Sequence, residues 1–177
     1  MQKILLTFSL ILGFTFAVQS QDTIQFKPNA TVMAVHDGDS YKVLMDGEKK
    51  AFWVRLWGAD APEVQSNYVA HTQVFGTEAG DSVRLLIKQK RVLVDTLYRD
   101  FYGRRVAKVK LGTTDMTTHL ITKGWAWYYV SNDMTKNERS FYLGLQKTAQ
   151  ANKVGLWGVD GEKIKPSVFR KQNKPKK

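Results

Sequence analysis

Two Asp-Gly steps, Asp37-Gly38 and Asp46-Gly47, stand between runs of alternating apolar residues, and they constrain the fold more than any other feature. Such a pair supplies the positive-φ geometry of a tight turn, while alternation puts every second side chain on one face of a strand. Thr31-Val32-Met33-Ala34-Val35 therefore runs into the first turn, and residues 40–45 return from it. Residues 51–56 follow the second turn, completing a meander. Two further β-rich runs, 91–97 and 105–111, are joined by a polar loop ending in Tyr102-Gly103.

Helical periodicity takes over elsewhere. Residues 77–89 place Val83, Leu86 and Ile87 on one face, and residues 115–123 form a short helix stopped by Gly124. Residues 137–153 carry Tyr142, Leu145 and Ala149 on one stripe. Five strands followed mainly by helices predict an α+β chain, a small five-stranded OB-type β-barrel with about three α-helices packed on it. Neither an internal repeat nor a second domain is evident.

The first 20 residues read as a secretory signal: Lys3, an apolar stretch over 4–18, then Gln19 and Ser20. Cleavage is expected after Ser20, with Ala17 as the alternative. The stretch is short for a membrane span and no lipid-accepting cysteine follows it. A secreted or periplasmic protein without stable membrane insertion is the expectation. Residues 21–160 form the folded domain. Residues 161–177 read as a loose basic tail, with seven lysines or arginines and no acid from Lys163 onward.

The 177 residues carry a formal charge of +11, or +10 once Lys3 is removed. That implies an anionic partner, nucleic acid first, an acidic membrane or polysaccharide otherwise. With no cysteine in the chain, disulfides, thiolate metal sites and a cysteine nucleophile are excluded. His36, His71 and His119 have no spacing typical of a zinc site.

Three segments share one chemistry: Asp39 in His36-Asp37-Gly38-Asp39-Ser40, the run from Arg55 through Asp60-Ala61-Pro62-Glu63, and Arg104 after Asp100-Phe101-Tyr102-Gly103. They offer two carboxylates for a hard cation, a third for a water, and two guanidinium forks for a phosphate. Metal-assisted cleavage of a phosphodiester needs that set. Taken singly, Asp39 is an ordinary turn residue, Arg55 an ion-pair partner of Asp60 or Glu63, and Arg104 a solvated charge. Their joint occurrence carries the reading. Trp125 and Trp127 alternate as in a half-buried extended segment and belong to the core or its edge.

These pieces, with Gly124-Trp125-Ala126 and Gly155-Leu156-Trp157 in the same order, resemble the staphylococcal nuclease family over residues 31–158. The resemblance implies a calcium-dependent endonuclease acting on DNA and RNA, leaving 3′-phosphate ends, and expected to be a monomer. By position, Asp39, Asp60 and the backbone carbonyl of Ala61 match the calcium ligands. Threonine is frequent at the third position, but a main-chain oxygen does the binding. Glu63 matches the residue that aligns or deprotonates the attacking water. Arg55 and Arg104 match the pair that grips the scissile phosphate, and Tyr102 a phosphate-contacting tyrosine. Tyr128 or Tyr129 matches a base-stacking tyrosine. Two departures stand out: Phe101 replaces a lysine, and the loop 64–73 lacks the family's lysines. The alternatives are a non-catalytic OB-fold module that binds nucleic acid, and a basic protein that binds acidic envelope polymers. Silent members of the superfamily lack the acidic and arginine set present here.

Overall fold

The meander forms where the alternation places it. In the computed structural model, which describes residues 27–175, β1 (Ala30–Val35) pairs antiparallel with β2 (Ser40–Met45), and β2 with β3 (Phe52–Leu56). Ala30 and Val32 are buried; a bulge between Val32 and Ala34 then shifts the alternation, so Val35 is the next side chain to reach the core. Gly47 takes φ +81°, as the second turn requires. Gly38 has no such φ, and its importance lies in the space around it.

Beyond β3 come β4 (Ala59–Asp60), α1 (Gly76–Ile87), β5 (Arg91–Arg99), β6 (Arg105–Leu111) and β7 (Thr114–Asp115). The chain continues with α2 (Met116–Thr122), β8 (Trp127–Tyr128), α3 (Lys136–Ala151), a 3-10 turn at Gly155–Trp157, and α4 (Pro166–Gln172). β5 pairs with both β1 and β6, and β6 returns parallel to β3, which closes a barrel of β1, β2, β3, β5 and β6. Val32, Val43, Val54, Leu56, Val92 and Val109 fill it. Each such side chain contributes about 1.5–3 kcal/mol by leaving water. This is the five-stranded OB-type α+β fold expected from the pattern.

The helices seal the barrel and fix its loops. α1 buries Ala79, Val83 and Ile87, one residue per helical turn. Asp115 caps α2 by accepting a hydrogen bond from the Thr118 amide at 2.8 Å. α3 opens with a reciprocal capping box between Thr135 and Glu138. It presses Tyr142 into a second cluster with Trp57, Val106, Ile121 and Met134.

The segment expected to be a loose tail is packed. Lys165-Pro166 starts α4, with proline at the first helical position where its missing N–H is harmless and its φ already suits a helix. Pro166 is buried, and Phe169 with Ile164 faces Gln73, Trp127 and Leu156 across a cavity of about 60 Å³. The Gln73 side-chain amide donates to Ile164 O at 2.6 Å, and the Ala70 amide to Asn173 O at 2.8 Å. A fourth helix is thus added to the three anticipated. The signal expected over residues 1–20 lies outside the described residues. Among the described residues no helix is long and apolar enough to cross a membrane.

Candidate active site

Asp39 sits at the end of the turn joining β1 to β2. The Asp39 amide donates to the Asp37 carboxylate at 3.0 Å, and the Tyr41 hydroxyl donates to Gly38 O at 2.7 Å. The Leu56 amide donates to Asp39 O at 2.8 Å, tying the turn to the end of β3. A Cβ at Gly38 would lie 2.7 Å from the Ala61 Cβ, so the turn rests on residue 61 and needs glycine for room. The Ala61 amide then donates to Asp39 Oδ2 at 2.6 Å. Asp60 is held by the pairing of β4 with β8, where it lies opposite Trp127.

The register Ser40 opposite Arg55 brings the arginine beside Asp39. Its Nη1 donates to Asp39 Oδ1 and its Nη2 to Asp60 Oδ1, both at 2.5 Å. Glu63 is fixed through Gln73: the Glu63 amide donates to Gln73 Oε1 at 3.2 Å, and the Gln73 amide donates to Glu63 O at 2.8 Å. The Glu63 carboxylate takes its hydrogen bond from Arg170 Nη1 on α4, and the same nitrogen lies 3.1 Å from Asp60 Oδ1. Of the residues expected from the sequence, Asp39, Arg55, Asp60, Ala61 and Glu63 therefore form one connected cluster. Asp37 and Arg170 belong to it as well.

Charge dominates this cluster. Burial raises the Asp37 carboxyl and pushes Asp39 up to about 7 against the pull of Arg55. Glu63 is also raised by burial, opposed by Arg170. Burial alone would lower Arg55, but the charges of Asp39 and Asp60 outweigh it and hold the guanidinium protonated. Asp37, Asp39, Asp60 and Glu63 face Arg55 and Arg170. When ionised, the carboxylates exceed the guanidinia by two charges, the charge of one divalent cation. All donors are oxygens, which suits a hard ion. Among the described residues no group of three or more His, Cys, Asp or Glu side chains forms a ready-made metal cage. Asp39 and Asp60 are the two carboxylates bound to the Arg55 guanidinium.

Arg104 and Tyr102 stand on the turn between β5 and β6. Asp100 organises that turn: it accepts from the Tyr102 and Arg104 amides at 3.0 and 2.9 Å, and from Arg104 Nε at 2.8 Å. The guanidinium also lies over the Tyr102 ring, 5.6 Å from its centre. Arg55 is opposite Val106 in the parallel β3–β6 pair. Arg104 immediately precedes the first residue of β6, Arg105, which lies opposite Val54 beside Arg55. It makes no bond to the carboxylate cluster among the described residues, and its partner is Asp100. Phe101 is almost wholly exposed.

The tyrosines divide. Tyr128 is half-buried and stacked on Tyr142, with ring centres 6.1 Å apart. Tyr129 is exposed and lines a groove of about 390 Å³ with Tyr98, Val130 and Asp133. Trp127 is buried against Trp157, and Trp125 packs at the edge of the barrel core. Sequence reasoning missed Arg170 and the anchoring role of Asp100. The available signal for Arg170 was Lys165-Pro166 followed by Val168-Phe169-Arg170, a short helix start with an apolar face.

Comparison with known proteins identifies the family. The family model described as "Staphylococcal nuclease homologue" matches residues 53–159. The chain is 32% identical over 175 residues to an uncharacterized endonuclease of Haemophilus influenzae, covering 98% of this chain and 88% of that protein. An uncharacterized endonuclease of Escherichia coli O157:H7 is 30% identical over 140 residues, 78% of this chain and 82% of its own. A staphylococcal-like nuclease of Arabidopsis thaliana is 30% identical over 125 residues, 71% of this chain but 35% of the larger plant protein.

Proposed function

The chain belongs to the staphylococcal nuclease family, and from that premise we propose that it is a secreted or periplasmic, calcium-dependent endonuclease hydrolysing DNA and RNA to 3′-phosphate ends. The observation that carries the reading is the buried pair Asp39 and Asp60 on Arg55, joined to the buried Glu63 through Arg170, with a surplus of negative charge on the barrel wall. A surface that merely held nucleic acid would have no use for carboxylates buried beside a phosphate-seeking arginine, so the non-catalytic alternative gains no support.

Asp39, Asp60 and the Ala61 carbonyl hold the metal. Calcium, when bound, supplies a hard positive centre that offsets the surplus charge and polarises a phosphoryl oxygen. Glu63 accepts a proton from water as its oxygen bonds to phosphorus. The bond from phosphorus to the 5′-oxygen breaks, and the departing oxygen is protonated from solvent. Arg55 and Arg104 present planar forks to the non-bridging oxygens, and neither loses its proton at neutral pH. Each donor aimed at the developing charge is worth roughly 3–4 kcal/mol. Tyr102, exposed beside Arg104, is assigned to the phosphate and the exposed Tyr129 to stacking on a base. Tyr128, half-buried and stacked on Tyr142, lies next to Tyr129 in the chain.

The test is direct. The purified mature protein is incubated with supercoiled plasmid and with RNA, in calcium or in chelator. Nicking and degradation in calcium alone, with 3′-phosphate ends, supports the reading. No cleavage of either polymer in calcium overturns it.

A further inference from the structure

The one charged side chain of the cluster supplied by the C-terminal segment is Arg170. It lies on α4, outside the stretch 53–159 matched by the family model, and no role in the reading above requires it. Its Nη1 nonetheless bonds Glu63 and lies 3.1 Å from Asp60 Oδ1, joining the carboxylate assigned to water with one assigned to the metal. The helix that carries it is held on both sides: Gln73, which fixes the Glu63 backbone, also donates to Ile164 O, and the Ala70 amide donates to Asn173 O. The loop 63–73 and the segment 164–173 thus form one clamp, with Glu63 at its base and Arg170 closing it. A guanidinium on a solvated tail would not be placed this way, since its ordering entropy would go unrecovered.

We propose that Arg170 is a positioning residue of the active site: it fixes the Glu63 carboxylate beside Asp60, and it competes with the metal for Asp60. The inference rests on the nuclease reading above. Two consequences of opposite sign follow. Losing the guanidinium removes Glu63's hydrogen-bond partner, so turnover falls. It also removes a positive charge beside Asp60, so the metal binds more tightly, because a cation at this range opposes a divalent ion.

Arg170→Gln, Glu63→Gln and the double variant are compared with the parent by calcium calorimetry without substrate and by steady-state cleavage of DNA. Arg170→Gln is expected to lower kcat at least about 10-fold with little change in KM, since an aligned base is worth about 10²–10⁴-fold. Its calcium Kd is expected to fall by at least about threefold. In the Glu63→Gln background the same change should cost less than about twofold further in kcat, as expected of residues acting as one unit. Weaker calcium binding by a folded Arg170→Gln protein, or an equal further loss of kcat in the Glu63→Gln background, overturns the proposal. Arg170→Lys keeps the charge and should hold the parent's calcium affinity. A calcium Kd for Arg170→Lys as low as that of Arg170→Gln would also overturn it. If the parent cleaves nothing in calcium, the nuclease reading fails instead, while the calorimetry still reports on Arg170.

Discussion

Gly38→Ala tests the link between packing and the metal site most sharply. The added Cβ would lie 2.7 Å from the Ala61 Cβ, whereas carbon atoms settle at about 3.5–4.0 Å, so one segment must retreat by roughly 1 Å. Neither is free to do so. Gly38 O is bonded to the Tyr41 hydroxyl at 2.7 Å, and the Ala61 amide to Asp39 at 2.6 Å. Overpacking of this kind costs about 2 kcal/mol, which lowers Tm by about 4–8 °C in a domain of this size. Because Gly38 is outside the left-handed region, the penalty is the contact alone. Ala61→Gly in the same chain should therefore return at least half of the lost Tm. The displaced residues are Asp39 and Ala61, so calcium affinity measured by calorimetry should drop several-fold in Gly38→Ala. A Tm within about 1 °C of the parent, or no recovery with Ala61→Gly, would refute the reasoning.

Other outcomes follow from the same geometry. In chelator, the Asp39 carboxyl, raised from 3.8 to about 7 by burial, holds in the native state a proton that the unfolded chain releases. Its contribution to stability must therefore fall as pH rises between those values and level off above them. Melts of the parent and Asp39→Asn across that range should diverge in this sense, and saturating calcium should flatten the difference. Arg104→Lys, which loses the fork and its bond through Nε to Asp100, should lower kcat by about 10²-fold with a smaller change in KM, read by steady-state cleavage. Ending the chain before Pro166 removes Arg170 and the Asn173 contact to Ala70, so turnover and Tm should both fall. Unchanged kcat in the shortened protein would mean that α4 is dispensable to the site.

The barrel was legible because its signals are local. Strands 40–45 and 105–111 coincide with their alternating runs, since side-chain period and turn chemistry act over a few residues. The site was legible as a set of residue types but not as a set of bonds. The ordinary reading of Arg55 offered Asp60 or Glu63 as partner; the strand register puts it between Asp39 and Asp60, and Glu63 goes to Arg170. Register and long-range docking are tertiary facts that spacing does not encode. The run of positive charge after Lys163 obscured α4, because Phe169 and Ile164 are the apolar residues that dock it and a charge count gives them no weight. Gly38 belongs with these: its pair with Asp37 suggested a positive-φ turn, whereas the structure needs glycine there for room against Ala61.

The central claim is that Glu63 handles the attacking water while Asp39 and Asp60 hold the metal. Glu63→Gln separates these roles when calcium binding by calorimetry and DNA cleavage are measured on the same preparation. Calcium affinity should stay within about threefold of the parent while cleavage slows by at least ~10²-fold, the usual loss when a general base is removed. Cleavage near the parental rate with calcium bound would contradict it.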